Sequence, residues 1–447
     1  MTPASPLCGM PLILFDGACG TSLQRLRLPA ASWDGHDGCN EFLNLSCPEA
    51  ITGMHRAFVE AGANVIETNT FGANRLVLEE FGLADRAAEI NRAAVGHARR
   101  AIGTRPGVFV CGSIGPGTKL ALLDQVPVDA LAVATAEQVE TLVTAGVDLL
   151  IFETCQDLLQ IKTALVACFD TLDRLGRDIP VMVSVTIEAT GTMLAGCDLA
   201  TVAATLAPFP LFSLGLNCAA GPRELGPRVA ALAQLWPGRI SVMPNAGLPV
   251  VRDGQTHYPL DPQTFADATR RFVTEFGVSI VGGCCGTTTE HIAALKSALK
   301  DVVPASRRPP PPAPAVTSAY AVQPLRPEIP PFLIGERLNA NGSKAFRDTL
   351  LAGDLAGALP IAQRQEAQGA MALDLCAAYA GRDEAADMAA LVRLLRTGSK
   401  LPVMVDSTRP EVVETALRLH PGRCIVNSVN LEDGGANLDC VCRLARR

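Results

Sequence analysis

Three cysteines carry the strongest chemical signal in this chain: Cys218 in the run GLNCAAGP, and the adjacent pair Cys284 and Cys285 in IVGGCCGTTTEH. Three thiolates make a good zinc set, and three protein ligands leave a fourth position open, which separates a catalytic zinc from a closed structural one. A substrate thiol entering that position would be held deprotonated at neutral pH, although its free pKa is about 8.5. The pattern therefore points to activation of a thiol as a nucleophile. The plainer alternative is a vicinal disulfide, or two core cysteines with an unrelated third. Gly282, Gly283 and Gly286 favour the metal, because consecutive strand residues face opposite ways and Cys284 and Cys285 converge only where the backbone can turn sharply. A helix opening at TTTEH adds unpaired N–H groups nearby, which favour thiolate charge. The six histidines show no HExxH spacing that would compete for a metal.

Sulfurs so far apart in sequence meet only if the fold brings strand ends together. Up to about residue 302, short β-branched or apolar runs alternate with longer amphipathic ones, the pattern of βα units on a parallel sheet. Eight strands are expected, at 11–17, 63–72, 107–115, 147–155, 180–188, 211–219, 240–248 and 278–286, with helices over 49–61, 84–102, 130–145, 158–175, 223–235, 262–276 and 289–300. Eight such units predict an α/β fold, a (β/α)8 TIM barrel, over residues 1–303. Cys218 then closes the sixth strand and the CC pair the eighth, on the barrel face that holds the active site in this architecture. Asp16 and Glu153 fall at the ends of strands one and four. A carboxylate there can accept hydrogen bonds from an amino acid's ammonium group, while Gly17, Ala18 and Gly20 offer backbone N–H groups near a helix start for its carboxylate. A helix cap or a solvated loop charge is the plainer alternative for each carboxylate. Asn245, at the end of strand seven, is a candidate labile fourth ligand, with turn hydrogen bonding as its alternative.

Residues 304–331 contain RRPPPPAPA and PLRPEIPP, which lack backbone donors for helix or sheet and read as an extended, semi-rigid tether. Beyond it the alternation resumes over 332–447, with strands expected at 332–339, 372–379, 402–408 and 424–430 and helices at 355–368, 383–396 and 411–419. Four parallel strands would leave an open edge, so this segment reads as the N-terminal half of a second, truncated (β/α)8 barrel.

Composition narrows the class further. A net charge of −7 with no long basic run leaves nothing to neutralise a phosphate backbone, so no nucleic acid is expected as partner. No apolar run reaches about 18 residues and the N-terminus has no basic region before its short apolar stretch, so neither a membrane span nor a signal peptide is expected, and the location read from this is cytoplasmic. Fifteen cysteines, an odd number scattered over a long chain, suit reduced thiols better than disulfides. Cys111, Cys155, Cys168 and Cys424 sit in apolar runs and read as inert core thiols.

The motifs DGACGT (16–21), IETNTFGAN (66–74), GSIGP (112–116), FETCQD (152–157), LNCAAGP (216–222), MPNAGLP (243–249) and GGCCGTT (282–288) together resemble the homocysteine methyltransferase family, over about residues 10–300. That resemblance implies Cys218, Cys284 and Cys285 as zinc ligands and homocysteine as methyl acceptor. The family's first motif commonly reads DGGMGT, whereas this chain has Ala18 and Cys19. A fourth thiolate would close the zinc site, so Cys19 is expected to line the cavity instead.

The first barrel leaves the donor open among betaine, S-methylmethionine and methylcobalamin, and leaves a non-catalytic zinc- or thiol-binding barrel as a rival reading. FLIGERLNANGSKAF (332–346), ALDLCAAY (372–379), VMVDSTRPEVVETAL (403–417) and IVNSVNLEDG (425–434) resemble the pterin-binding barrel of cobalamin-dependent methionine synthases, which carries methyltetrahydrofolate. The resemblance implies Glu336, Asp406 and Asn427 as pterin contacts, with Asn339 and Asp374 beside them, and a methyl group passing from methyltetrahydrofolate through methylcobalamin in the full-length enzyme. ALDLCAAY departs from the frequent LDVN pattern at Asp374. A cobalamin-binding module is expected to lie outside this chain, which is expected to bind zinc and homocysteine and to bind folate poorly.

Overall fold

The computed structural model describes residues 5–252, 255–309, 311 and 313–446. Eight short parallel strands form the first sheet: β1 (Ile13–Leu14), β2 (Val65–Glu67), β3 (Phe109–Ile114), β4 (Leu149–Cys155), β5 (Val181–Val185), β6 (Ser213–Asn217), β7 (Arg239–Met243) and, after a hairpin of β8 (Val250–Arg252) and β9 (Gln255–His257), β10 (Ile280–Val281). They pair in the order β1-β10-β7-β6-β5-β4-β3-β2, and a parallel bridge from Phe15 to Val65 joins the two ends. The sheet is thus a closed (β/α)8 barrel, with each barrel strand inside a range expected from the sequence except β7, which begins one residue before its range, at Arg239.

Period-two alternation sorts the side chains of each strand. Ile13, Phe15, Val65, Cys111, Leu149, Ile151, Met182, Met243 and Ile280 pack in one buried cluster, while the intervening Leu14, Ile66, Val110, Leu150, Val183, Leu214, Val242 and Val281 join the larger core with the helices. Helices form where caps and apolar stripes agree. The helix Leu158–Leu175 starts at Asp157, whose Oδ1 accepts from the N–H groups of Leu159 and Gln160, and stops at Gly176 in the left-handed region (φ 61°). The helix Leu199–Leu206 and the β8–β9 hairpin are elements that the sequence reading did not include. Cys111, Cys155 and Cys168 are buried and Cys424 is half-buried, and burial raises all four thiols, Cys424 to about 11.

The tether reading is corrected over part of its length. Residues Ala315–Thr317 (β11) and Val322–Pro324 (β12) pair as an antiparallel hairpin, with Ala315, Val316 and Thr317 buried. Pro314 precedes the ladder and Pro324 closes it opposite Ala315, while the β-branched Val316, Thr317 and Val322 occupy the rest, so the donors that a Pro-rich run lacks are present where needed. Thr317 ties the hairpin to both sides: its hydroxyl lies 2.7 Å from that of Thr205 and accepts from the N–H of Arg423 at 2.8 Å.

A second parallel sheet follows, β13 (Ile334–Asn339), β14 (Ala372–Cys376), β15 (Val403–Asp406) and β16 (Ile425–Asn427), in that order. It docks on the first barrel through one apolar cluster that includes Leu122, Val126, Leu131 and Leu159 from the barrel side and Leu391, Val412 and Ala416 from the other. Two cations lock the docking, Arg396 buried and Lys162 half-buried. Lys162 donates to the carbonyls of Leu417 (2.8 Å), His420 and Gly422, and burial lowers its pKa to about 8. Arg396 donates to the carbonyls of Ala121 and Leu122 and pairs with Asp124 at 2.7 Å. Among the described residues no helix is long and apolar enough to cross a membrane.

One buried group links this packing to pH. His55, on the helix Pro48–Glu60, is 0% exposed with both ring nitrogens lacking a hydrogen-bond partner, and burial, with a smaller push from His97, lowers its pKa to about 3. A depressed folded-state pKa means that the unfolded chain binds the proton more readily. The stability that neutral His55 contributes is therefore complete above about pH 6.5 and is lost as the pH falls towards 3, at about 1.4 kcal/mol per pH unit. His55→Leu should show a shallower fall in denaturation midpoint between pH 6.5 and 4.5 than the parent chain; equal slopes would refute the assignment.

Candidate functional site

Along four neighbouring barrel strands the inward face changes from apolar to polar towards the same mouth. Val65 is followed by Glu67, Cys111 by Ser113, Ile151 by Glu153 and Met182 by Ser184, each pair two residues apart and so on one face. Beyond them the chain opens a cavity of about 970 Å³ whose wall includes Cys19, Glu67, Ser113, Glu153, Tyr258 and the three cysteines.

The cysteines do converge. Cys218 Sγ lies 2.7 Å from Cys284 Sγ and 3.9 Å from Cys285 Sγ, and the three ligand atoms all lie within 4.8 Å of one another. All three are half-buried free thiols. Cys218 sits one residue past β6 in the left-handed region (φ 57°), as does Ala219 (φ 57°), and these two unfavourable residues turn the strand end towards the β10 loop. Asn217 Nδ2 reaches Cys284 Sγ at 3.9 Å, and the Thr287 hydroxyl donates to the Cys284 carbonyl at 2.7 Å, fixing the second arm. Crowded sulfurs share charge unequally. Hydrogen bonds from Cys218 and Cys284 lower Cys285 to about 3, whereas hydrogen bonding to Cys218 and Cys285, together with burial, raises Cys284. For Cys218 the bond to Cys284 favours its thiolate but is outweighed by that to Cys285 and by burial, so its thiol is raised.

A second group is acidic. Asp16 lies two residues past β1, Glu67 ends β2, and Glu153, expected at the end of its strand, is the fifth of seven residues of β4. Asp16 Oδ2 accepts from the Glu67 N–H at 3.0 Å, and the Ser113 hydroxyl donates to Glu153. Asp16 Oδ1 and Glu67 Oε1 are buried without a partner. Burial is the main cause raising all three. It is followed for Asp16 by the opposing Glu67 N–H bond and the charge of Glu153, and for Glu67 by the charges of Glu153 and Asp16; Glu153 reaches about 7 against the opposing bond from Ser113. Thr154, next to Glu153, is a β-branched residue at φ 56°, where the β4–β5 register breaks between Phe152 and Cys155.

Other expected residues fall less simply. The Ala18 N–H is already bound to the Thr287 hydroxyl at 3.1 Å, so of the first-loop amides it is not free for a substrate carboxylate. Gly17 packs against Thr287 and Phe58 so closely that a Cβ would meet them within 3 Å, and Gly17, Ala18 and Gly20 all lie on the cavity wall. Cys19 is on that wall too, donating to Asn69 Oδ1 at 3.3 Å. Asn245 has a buried, unpartnered Oδ1, yet it is not one of the wall residues. The sequence reading passed over Glu67, Asn217, Thr287 and Tyr258. Glu67 lay inside the quoted IETNTFGAN motif, and its alternation with Val65 was the available signal; Tyr258 depends on the unforeseen β8–β9 hairpin, which lays its ring where a Cβ on Gly286 would meet it at 2.1 Å.

In the second sheet, Asn339 Nδ2 donates to both Asp374 Oδ2 and Asp406 Oδ2 at 3.0 Å, drawing three strands together at one end. Asp374 Oδ1 is buried without a partner, and burial raises this carboxyl, against the Asn339 bond. Asp406 pairs in register with Asn427. Two expected strand-end positions are corrected. Glu336 is an exposed residue within β13, at the register shift between Gly335 and Leu338, and Asp374 is the third of five residues in β14; the ends of those strands are Asn339 and Cys376. The bulge sets the shift, since one extra residue displaces all that follow.

Comparison with known proteins comes after this geometry. The profile of the homocysteine S-methyltransferase family matches residues 13–299, and that of pterin binding enzymes matches residues 335–445. The methionine synthases of Mycobacterium leprae and Mycobacterium tuberculosis are each 42% identical to this chain, over 427 and 423 residues, covering 94% of it and 35% of each relative. The chain thus spans about a third of the length of the curated relatives it matches. Among solved structures, the metallated form of the homocysteine methyltransferase MmuM from Escherichia coli is 26% identical with a TM-score of 0.52, over 65% of this chain and 97% of that one. Its oxidized form, 24% identical with the same TM-score, shares the fold.

The strained turn at Cys218 makes a separable prediction. Relief of a left-handed Ala is worth roughly 1–2 kcal/mol, and added freedom of the unfolded chain takes back roughly 0.4–1 kcal/mol. Ala219→Gly should therefore raise stability by roughly 0.5 kcal/mol, whereas Ala220→Gly, on ordinary backbone, should lower it by roughly 1 kcal/mol. Chemical denaturation of both variants checks the contrast, and a loss of stability at 219 would contradict it.

Proposed function

The chain belongs to the homocysteine S-methyltransferase family, and from that premise we propose that its first barrel methylates the sulfur of homocysteine to give methionine, with zinc held by Cys218, Cys284 and Cys285. The observation that carries this reading is the convergence of three sulfurs at the barrel mouth. Tetrahedral zinc about 2.3 Å from each sulfur spaces its ligands about 3.8 Å apart. The 3.9 Å pair fits that spacing, and the 2.7 Å pair would open by about 1 Å. The donor set is soft and lies against buried carboxyls, so three thiolates here need a cation to coexist. MmuM, a homocysteine methyltransferase solved in a metallated form, supports the same reading. When bound, zinc would supply a substrate thiol held as its thiolate at neutral pH, with one ligand place left for it.

The chain's own residues do the rest. Asp16 and Glu153 accept the substrate's ammonium, in a buried setting where a charge-assisted hydrogen bond is strong. Gly17 and Gly20 line the cavity wall where the substrate carboxylate would lie. Asn245, with its buried, unpartnered oxygen, is the side chain that would hold the fourth ligand place on zinc when no substrate is bound. With both ends of the amino acid anchored, its sulfur is oriented towards the open cavity for in-line attack on a methyl carbon: the S–C bond forms as the donor's bond to that carbon breaks, and the electrons leave on the donor. A cavity of about 970 Å³ exceeds what homocysteine fills and leaves room for the donor's reacting end.

For the donor, we propose methylcobalamin charged from methyltetrahydrofolate, acting in a longer protein of the methionine synthase type. The support is the second sheet, matched by the pterin binding profile, and the 42% identity to methionine synthases across both units. Asn339, Asp374, Asp406 and Asn427 cluster where a pterin's donors and acceptors could be read, with Glu336 at the bulge beside them.

Metal analysis should find about one zinc per chain, and Cys218→Ala should lose it together with homocysteine methylation. Assays with methylcobalamin, betaine and S-methylmethionine side by side should show turnover with the first. Full zinc content and full turnover in Cys218→Ala would overturn the assignment of the sulfurs.

A further inference from the structure

Three carboxyls stand in one barrel mouth where the proposed mechanism needs two, and the extra one is Glu67. It ends β2, between Asp16 on the neighbouring strand and Glu153 two strands away, and it lies on the cavity wall. Its own N–H is spent on Asp16 Oδ2, while its side-chain Oε1 is buried and makes no hydrogen bond. Asp16, only 4% exposed, leaves Oδ1 in the same condition. Burial raises all three, the charge of Glu153 adds to Asp16 and Glu67 and that of Cys285 to Glu153, and among the described residues only hydrogen bonds, with no lysine, arginine or histidine, oppose these effects.

An unpartnered carboxylate oxygen in a low-dielectric pocket is a standing cost unless a ligand supplies the missing donor and positive charge. Two such oxygens on adjoining strands ask for a cation with several N–H groups. The three carboxyls are spread along an arc and are not drawn together like the sulfurs, which alone among the described Cys, His and acidic side chains meet within 4.8 Å in a group of three. An arc suits an organic ammonium on a carbon chain better than a compact metal ion ringed by oxygens.

We propose that Glu67 is a specificity-determining residue, the middle arm of an ammonium receptor formed with Asp16 and Glu153, and that it makes the site select amino-acid thiols over thiols without the amine. The assignment rests on the homocysteine reading and adds to it the residue that enforces the substrate class. Glu67 touches neither the reacting sulfur nor the methyl group. Its loss weakens capture of the amine and leaves the zinc cysteines as they are.

Calorimetric binding of L-homocysteine and of 4-mercaptobutyrate, its analogue without the amine, to the zinc-loaded full chain tests this. The parent should prefer homocysteine. Glu67→Gln should lose about 10- to 100-fold on homocysteine, the worth of one charge-assisted hydrogen bond, and keep its affinity for 4-mercaptobutyrate. Zinc content should stay at the parent level. Melting of the ligand-free variant adds a readout that a structural role would move the other way: replacing a carboxyl that is buried without a partner should hold or raise Tm. Equal losses on both thiols with a lowered Tm, or an unchanged preference for homocysteine, would overturn the role of Glu67 and leave the homocysteine reading standing. A parent chain that holds zinc and binds neither thiol would overturn both.

Discussion

Three sulfurs within 4.8 Å of one another cannot all carry negative charge in a partly buried site unless a cation stands among them. Much of the barrel mouth can be understood from that constraint. Hydrogen bonds from its two neighbours favour the thiolate at Cys285, while Cys218 and Cys284 are pushed towards the neutral form. A buried carboxyl, Glu153, senses the same sulfur and is itself raised. Such a set is poorly satisfied by protein alone, since three soft sulfurs stand near carboxyl oxygens that have no hydrogen-bond partner.

The fold holds this arrangement at a cost in local conformation. Thr154, Cys218 and Ala219 all occupy the left-handed region, where a residue with a Cβ is disfavoured by roughly 1–2 kcal/mol. They cluster at the ends of β4 and β6, beside the acid and sulfur groups. Each is held by neighbours: Thr154 by Asn217, which accepts from its N–H and donates to its hydroxyl, and the Cys218 turn by the ladder between β6 and β7. Below them lies an apolar plug of Ile13, Phe15, Val65, Leu149, Ile151 and Met182, so a rigid base carries a strained rim.

The second sheet is joined to the barrel more firmly than a proline tether implies. Thr317 bridges Thr205 and Arg423, and the cations of Lys162 and Arg396 end on backbone carbonyls across the junction. Donors held in this way leave few alternative arrangements, because any slip strands a charged group without acceptors. The acid and amide cluster of Asn339, Asp374 and Asp406 is therefore carried on a unit whose placement against the first barrel is specific.

Much of this was legible in the sequence. Alternating apolar runs and the helical stretches between them give away eight βα units, because a strand buried on both faces and a helix buried on one leave different periodicities in the chain. Glycines around a CC pair mark a turn that only a strand end would tolerate. Barrel closure puts the pair at the same mouth as Cys218, and the left-handed turn at Cys218 and Ala219 completes the approach. What the sequence could not settle are matters of approach between segments far apart along it. Glu67 looks like any motif acid until Asp16 takes its N–H and leaves its carboxyl without a partner. The β8–β9 hairpin that brings Tyr258 over Gly286, the β11–β12 hairpin inside a Pro-rich run, and the bulge that moves Glu336 off the strand end likewise have no periodic signature. Local pattern specifies which elements form, since it reports each segment's own burial; which side chains end up unpaired or strained depends on the neighbours that tertiary packing supplies.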